Sequence, residues 1–496
     1  MSDAFYCMGL DAGTTGIKAV VFDPDGNAIG TGLAEYTLET PRPDIVELEP
    51  EIYWQAARDA IALAVSRAGA DPTRIRSLGI TGQAETLIMT DEAGHPVRKA
   101  IVWLDNRGKE EARLLEEKFG SENLFRMSGQ TEMLPCWPAA KILWYRKNQP
   151  ELFRKTAKFL MVEDFLLHRL TGSWGTCRGL MPSSLYFDIR TGKYEPAMLD
   201  FLQIKQDQLP PPRAPGEKAG ICKNGNGTIL PAGVLVSVAP IDHVCGNLGS
   251  GCAREGTVSE TTGCTMALCA VSDHVLYDDA RRISTYCGCL PGSFVLLPWA
   301  PTAGMLLKHF RDEFASGMSY ADFDAAAASV PPGSEGLLIL PHAAGAVSPV
   351  CCPEARAAAY GITLAHKRGH WARAIMESVA YLLRDNVEVL RTLGCRIDAV
   401  RALGGAAKSP LWLQIMADVL ALPITLTSCE EATSLGAAIL GAAAAGLVPD
   451  AVAGAEKMVR TCRTIHPGKD AEIYRKYFRD YQKLNQLLMP TFGGKL

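Results

Sequence analysis

Short apolar runs alternate with amphipathic stretches along this chain, and the pattern restarts near Gly256. Residues 7–22 read as a β-hairpin and 28–35 as its continuation, because apolar and β-branched residues fall in short runs broken by small polar turns. Trp54, Ala57, Ile61 and Ala64 recur at helical spacing within 50–68. A strand at 75–81 ends in Gly82-Gln83, and two more follow at 87–89 and 100–103. Helices are expected at 109–119, 139–147 and 162–170, the last stopped by Thr171-Gly172. A Pro-rich loop covers 209–216, and a buried strand at 234–239 delivers Pro240-Ile241-Asp242. The glycine-rich stretch 246–251 reads as a hinge.

Beyond it the pattern predicts a helix at 303–314, a strand at 336–340, an irregular loop at 342–352 and a long helix at 372–393. A strand at 399–403 runs into Gly404-Gly405, with a helix at 411–420 and a strand at 424–427. Glu431-Ala-Thr-Ser-Leu-Gly436 opens a further helix, and 438–448 reads as buried and helical. The expected fold class is α/β, with mixed sheets in two domains, 1–250 and 251–496.

One motif occurs once in each half. Thr14-Thr15-Gly16 and Thr261-Thr262-Gly263 each sit between apolar runs, as a tight polar turn between two strands. Glycine lets backbone N–H groups approach a ligand closely, and threonine hydroxyls add donors. Two such turns, one per half, suit a polyphosphate gripped from both sides of a cleft.

Composition removes several function classes. A net charge of −4 with no long basic run favours neither nucleic acid nor an anionic membrane. No apolar stretch is long enough to span a bilayer, and the N-terminus lacks the pattern of a signal peptide, so a cytoplasmic enzyme is expected. The 15 cysteines form no pair of CxxC elements and read as mostly buried free thiols. The nine histidines show no HxH or HExxH spacing, which argues against zinc.

Several residues are placed for chemistry. Asp11 precedes the first turn, where it is either an ordinary turn residue or a ligand for Mg²⁺, the usual cation between carboxylates and phosphates. Asp242 ends a strand near the junction of the halves and is either a general base for a hydroxyl or a helix N-cap. Lys18 and Lys408 lie near glycine turns, where they offset phosphate charge or are simply solvated. Gly404-Gly405 is a candidate nucleotide turn or a plain strand–helix connection. Trp103 either lines a pocket braced by Asp105 and Arg107 or is a core residue beside a surface ion pair. Glu85 is a pocket acid or an exposed loop acid.

Taken in order, these segments resemble the FGGY carbohydrate kinases, the group of xylulokinases, ribulokinases and glycerol kinases. The match is carried by 9–18, by 79–83 with 101–107, by Lys141-Ile-Leu-Trp144, by Asp242 with Thr262-Gly263, and by Gly404-Gly405-Ala406 with 431–438. The tail with Tyr474, Tyr477 and Tyr481 adds to it. The resemblance implies two actin-like, ribonuclease-H-like domains around a deep cleft, and transfer of the γ-phosphoryl of ATP to a sugar or polyol hydroxyl. It implies Asp242 as base and Asp11 on Mg²⁺. Gln83, Glu85, Trp103 and Asp242 would meet the substrate. Thr14, Thr15, Lys18, Thr262, Gly263, Gly304, Gly404, Gly405 and Ser409 would meet the nucleotide. The implied partner is a small sugar or polyol, with a homodimer left open. Positioning and charge stabilisation carry most of such catalysis.

The chain departs from the family at the substrate side. Ala84-Glu85 follows Gly82-Gln83 where xylulokinases usually have Met-His and glycerol kinases Arg-Glu, and Cys136 falls where glycerol kinases have Tyr. Thr265 replaces a usual aromatic, Thr261 a usual glycine, and 341–349 lacks the Gly-Glu-Arg of many pentulose kinases. Smaller side chains leave more room, so a four- to six-carbon ketose or polyol is expected, a five-carbon ketose such as xylulose first. Rival readings are an actin-like ATPase working by domain motion and a weakly active sugar sensor, both separable by sugar-stimulated ADP formation.

Overall fold

The computed structural model describes residues 5–492. Tyr6–Ala12 (β1) and Gly16–Phe22 (β2) form the expected hairpin, extended by Ala28–Glu35 (β3). Ile75–Gly82 (β4) lies parallel to β1, and Lys218–Ile221 (β5) and Leu235–Val238 (β6) complete a six-stranded sheet in the order β5-β6-β4-β1-β2-β3. Leu78, Ile80, Val236 and Val238 line one buried face, and the small Ser77, Gly79, Thr81 and Ser237 that alternate with them are buried as well. Pro50–Ala68 (α1) and Val162–Thr171 (α2) pack together against this sheet. Asp242–Gly249 (α3) follows β6.

The second sheet repeats the plan. Gly256–Thr262 (β7) and Met266–Ser272 (β8) form the second hairpin, with Ser284–Cys287 (β9) and Phe294–Leu297 (β10) beyond β8. Ile397–Leu403 (β11) runs parallel to β7, and Ile424–Thr427 (β12) and Thr461–Ile465 (β13) finish the order β9-β10-β8-β7-β11-β12-β13. Trp299–Ala300 pairs with β8 off this path. In both sheets a hairpin carries Thr-Thr-Gly at its turn and a parallel strand flanks its first arm, so the repeated motif marks a repeated topology. Gly304–Phe314 (α4), Arg368–Thr392 (α5) and Pro410–Leu420 (α6) contribute to the second core. The tail helix Ala471–Phe492 docks there too, its Tyr474 hydroxyl accepting from Arg373 Nη2 (2.7 Å) and donating to Glu377 Oε1 (2.9 Å).

Ala432–Ala444 (α7) returns to the first sheet, where Leu435, Ile439 and Leu440 join the first core. The approach is backbone to backbone. A Cβ on Gly9 or Gly79 would come within 1.9 Å of the Ser434 or Ala437 carbonyl oxygen, and one on Gly436 within 2.0 Å of the Cys245 oxygen. The chain therefore crosses between the sheets after Cys252, again before Ala432, and again before Thr461.

This packing corrects the hinge expected at 246–251: residues through Gly249 are helical, and 246–250 are buried. A Cβ on Gly249 would sit 1.8 Å from the Ala432 oxygen, so glycine here admits a neighbouring helix rather than a flexible joint. Replacing Gly436 with Ala is expected to destabilise the fold by about 1–3 kcal/mol, the usual cost of overpacking. Chemical denaturation would measure this, and an unchanged midpoint would refute the close-packing account.

Candidate active site

Three adjacent strand ends build the first wall. β1 and β4 run parallel in register, Asp11 beside Thr81 and Ala12 beside Gly82, so Asp11 and Gln83 emerge together. Thr81 Oγ1 donates to the Pro240 oxygen (2.6 Å), which ties the exit of β6 to the same edge. Asp242 is the first residue of α3, and its Oδ1 accepts from the His243 amide (2.6 Å). The N-cap position belongs to Ile241, so Asp242 does not take the capping role that its sequence position left open.

Burial pushes the Asp11 carboxyl up to about 7, the nearby Asp242 charge adds to this, and Lys18 opposes it. Asp11 Oδ1 is buried without a hydrogen-bond partner among the described residues. A bare carboxylate oxygen next to a second carboxylate suits a hard divalent cation, so these residues fit the expected Mg²⁺. Lys18 is engaged with Glu431 at the start of α7 (Nζ–Oε2, 2.8 Å), and Lys408 with Glu430 (2.9 Å).

Thr14, Gln83, Thr86 and Trp103 form one hydrogen-bonded network. The Trp103 indole N–H donates to Thr14 Oγ1 (2.9 Å), and the Trp103 amide to Thr86 Oγ1 (3.1 Å). Thr86 Oγ1 donates to Gln83 Oε1 (3.3 Å), while Gln83 Nε2 donates to the Gly13 oxygen (3.2 Å). Thr14 is therefore linked to Trp103, and Thr15 stays exposed at the turn. Glu85 is buried rather than an exposed loop acid, its backbone is left-handed (φ 65°), and burial pushes its carboxyl up to about 7. The Asp105–Arg107 pair is also interior: the Arg107 guanidinium donates twice to Asp105 (2.8 and 2.7 Å), and Asp105 Oδ2 accepts from the Val46 amide (2.7 Å).

Two residues here escaped functional assignment from sequence. Lys141 is fully buried, and its ammonium donates to the carbonyls of Glu85 and Val102, each at 2.9 Å. It pins the Glu85 turn to the Trp103 segment, and burial lowers it to about 8. From sequence Lys141 carried only a family resemblance, as part of Lys141-Ile-Leu-Trp144, and no role. Tyr286 on β9 reaches from the second sheet towards Glu85, Cys136 and Asp242, its phenol kept neutral first by burial and then by those charges. Nothing local distinguishes Tyr286 from a core residue.

The second sheet supplies a cavity of about 900 Å³, bordered by Thr262, Gly263, Gly304, Gly405 and Ser409. Gly304 donates its amide to the Gly263 oxygen (2.9 Å), and a Cβ there would stand 2.4 Å from that oxygen. Gly404 takes φ +80° at the end of β11, against the Thr262 carbonyl. Ser409 Oγ accepts from the Trp412 amide (3.0 Å) and so caps α6 at the cavity rim. Met305, Tyr320 and Leu411 give the cavity an apolar side suited to a flat ring. Thr14 and Thr15 belong to the other sheet and are not part of its lining.

Residues 6–249 match the N-terminal domain and 258–445 the C-terminal domain of the FGGY family of carbohydrate kinases. The chain is 26% identical over 489 residues to a xylulose kinase from Bacillus subtilis, covering 97% of this chain and 96% of that protein. It is 30% identical over 490 residues to a glycerol kinase from Thermococcus gammatolerans, covering 96% and 97%. The crystal structure of a gluconate kinase from Lactobacillus acidophilus shares the fold with a TM-score of 0.92, at 23% identity and 99% coverage of both chains.

Proposed function

We propose that this chain, which belongs to the FGGY family of carbohydrate kinases, phosphorylates a four- to six-carbon ketose or polyol, with a five-carbon ketose such as xylulose foremost. Its reaction class is phosphoryl transfer from ATP to an alcohol. In this reading the acceptor lies against Trp103, Gln83 and Glu85, and Asp242 takes the proton of the attacking hydroxyl. The cavity beside Gly405 holds adenosine, and the turns at 14–15 and 262–263 hold the phosphates. Asp11 holds Mg²⁺, which when bound neutralises charge on the phosphates.

The observation that carries the substrate class is the mix of side chains around Glu85. Ala84 and Cys136 are small, and Thr265 is exposed on its turn instead of filling the site. A three-carbon triol there would leave space unfilled and polar groups unpaired, which costs affinity. In this reading Tyr286, buried near Glu85 and Asp242, would supply an aromatic boundary for a longer carbon chain. Relatives named for xylulose, glycerol and gluconate show how widely acceptors vary on this scaffold. Comparing kcat/KM for xylulose, ribulose, erythritol, hexuloses, gluconate and glycerol tests the reading. A five-carbon ketose is expected first and glycerol at least tenfold poorer, about the cost of one unpaired polar group. Glycerol or gluconate ranking first would overturn it.

A further inference from the structure

We propose that Glu260 is a positioning residue that aims the Thr262 hydroxyl at the nucleotide's phosphates, an inference that rests on the 262–263 turn being a phosphate site. Along β7, Val258, Glu260 and Thr262 alternate onto one face, each about 1% exposed. That face is the second core, where Glu260 lies between Leu268 of β8 and Ala402 of β11. Glu260 Oε1 is in hydrogen-bond contact with Thr262 Oγ1, and Oε2 is buried with no partner among the described residues. Thr262 itself borders the nucleotide cavity.

No charged partner accounts for this carboxyl. The helices of the second core carry Arg373 and Glu377 on α5 and Asp418 on α6. The first two bond each other and Tyr474, while Asp418 accepts from Gln414 and the Gly468 amide. The rim helix α4 carries Lys308, Arg311 and Asp312, which pair among themselves. On the opposite face of β7, at the Ser259 position, are Cys269 of β8 and Arg401 of β11, with Asp242 and His243 of α3 beyond; Arg401 therefore points away from Glu260. Lys408 at the cavity rim is paired with Glu430, and Asp398 on β11 with Arg396.

A lone carboxylate in apolar surroundings is strongly disfavoured, and burial pushes Glu260 up to about 8. The neutral acid has one proton to give, and Thr262 Oγ1 is the acceptor in reach. Once that oxygen accepts, the threonine's own hydrogen is free to point into the cavity and donate to a phosphate. Loss of the proton reverses the pair. Glu260 then takes the Thr262 hydrogen, and the hydroxyl presents only lone pairs to an anion. Because the folded-state pKa is raised, the productive arrangement is complete well below pH 8 and lost as pH rises through it.

The test is the KM for ATP from pH 6.5 to 9.5, at saturating acceptor and Mg²⁺, in wild type, Glu260→Gln, Glu260→Leu and Thr262→Val. The wild-type KM is expected to rise about tenfold across the range, the scale of one hydrogen bond to a charged group. Glu260→Leu, which cannot donate, should raise KM at pH 7, and the amide of Glu260→Gln should rescue it and remove the alkaline rise. Ionisations other than that of Glu260 are common to all four proteins, so the wild-type-to-Gln difference isolates Glu260. Superimposable wild-type and Gln profiles would overturn the inference even if the Leu variant fails to fold. Thr262→Val reports on the underlying assignment: an unchanged KM at pH 7 would remove the phosphate site itself, whereas a raised KM with superimposable profiles would remove Glu260 alone.

Discussion

Replacing Asp242 with Asn is expected to lower kcat by about 10²–10⁴-fold, the usual contribution of general-base catalysis. The side chain begins α3 at the edge where β1, β4 and β6 end, with Asp11 and Glu85 close enough to feel its charge. The amide keeps the volume and retains an oxygen for the His243 N–H, so the local fold should persist. It cannot take a proton from the acceptor hydroxyl. Turnover at saturating ATP and sugar, with calorimetric ATP binding and a melting curve on the same sample, would check this. Retention of more than a tenth of kcat in a folded, ATP-binding variant would remove Asp242 from the base role. Loss of ATP binding together with kcat would reassign it to the nucleotide side.

The second large effect concerns the cation. Activity should vanish in EDTA, return with Mg²⁺, and need far more Mg²⁺ in Asp11→Asn, with kcat/KM at 1 mM Mg²⁺ down on the order of 10²-fold (direct ligands cost at least as much as the outer groups that orient them). The metal-free variant should be no less stable than wild type. Asp11 Oδ1 has no partner to lose, and removing one of two neighbouring carboxylates relieves repulsion. Activity titrations against Mg²⁺ and paired melting curves separate the cases. Full activity in EDTA would refute the metal role, and a large stability loss in metal-free Asp11→Asn would show a structural one instead.

Much of the scaffold was legible because its signals are local. Alternation and small turn residues marked both hairpins, and a strand running into Gly404-Gly405 marked the turn that now borders the cavity. The order of motifs placed Asp11, Gln83 and Asp242 near one another, since parallel strands of one sheet bring their C-terminal ends together. Glycine misled where its purpose was contact rather than conformational freedom. The 246–249 segment has the composition of a linker, and only the arrival of α7 from about 190 residues later in the chain explains it.

Sequence by itself determined the repeated α/β plan and the residue types at the strand ends, because each follows from spacing within a short window, and it pointed to the family through the resemblance of several motifs in order along the chain. Tertiary structure alone decided which polar groups are satisfied. Lys141 finds carbonyls 39 and 56 residues away, Lys18 finds Glu431 across 413 residues, and Asp11 and Glu260 are left with bare buried oxygens. Burial and pairing are properties of packed neighbours. They set the charge state of these groups, and with it the chemistry, only once distant strands and helices have closed around them.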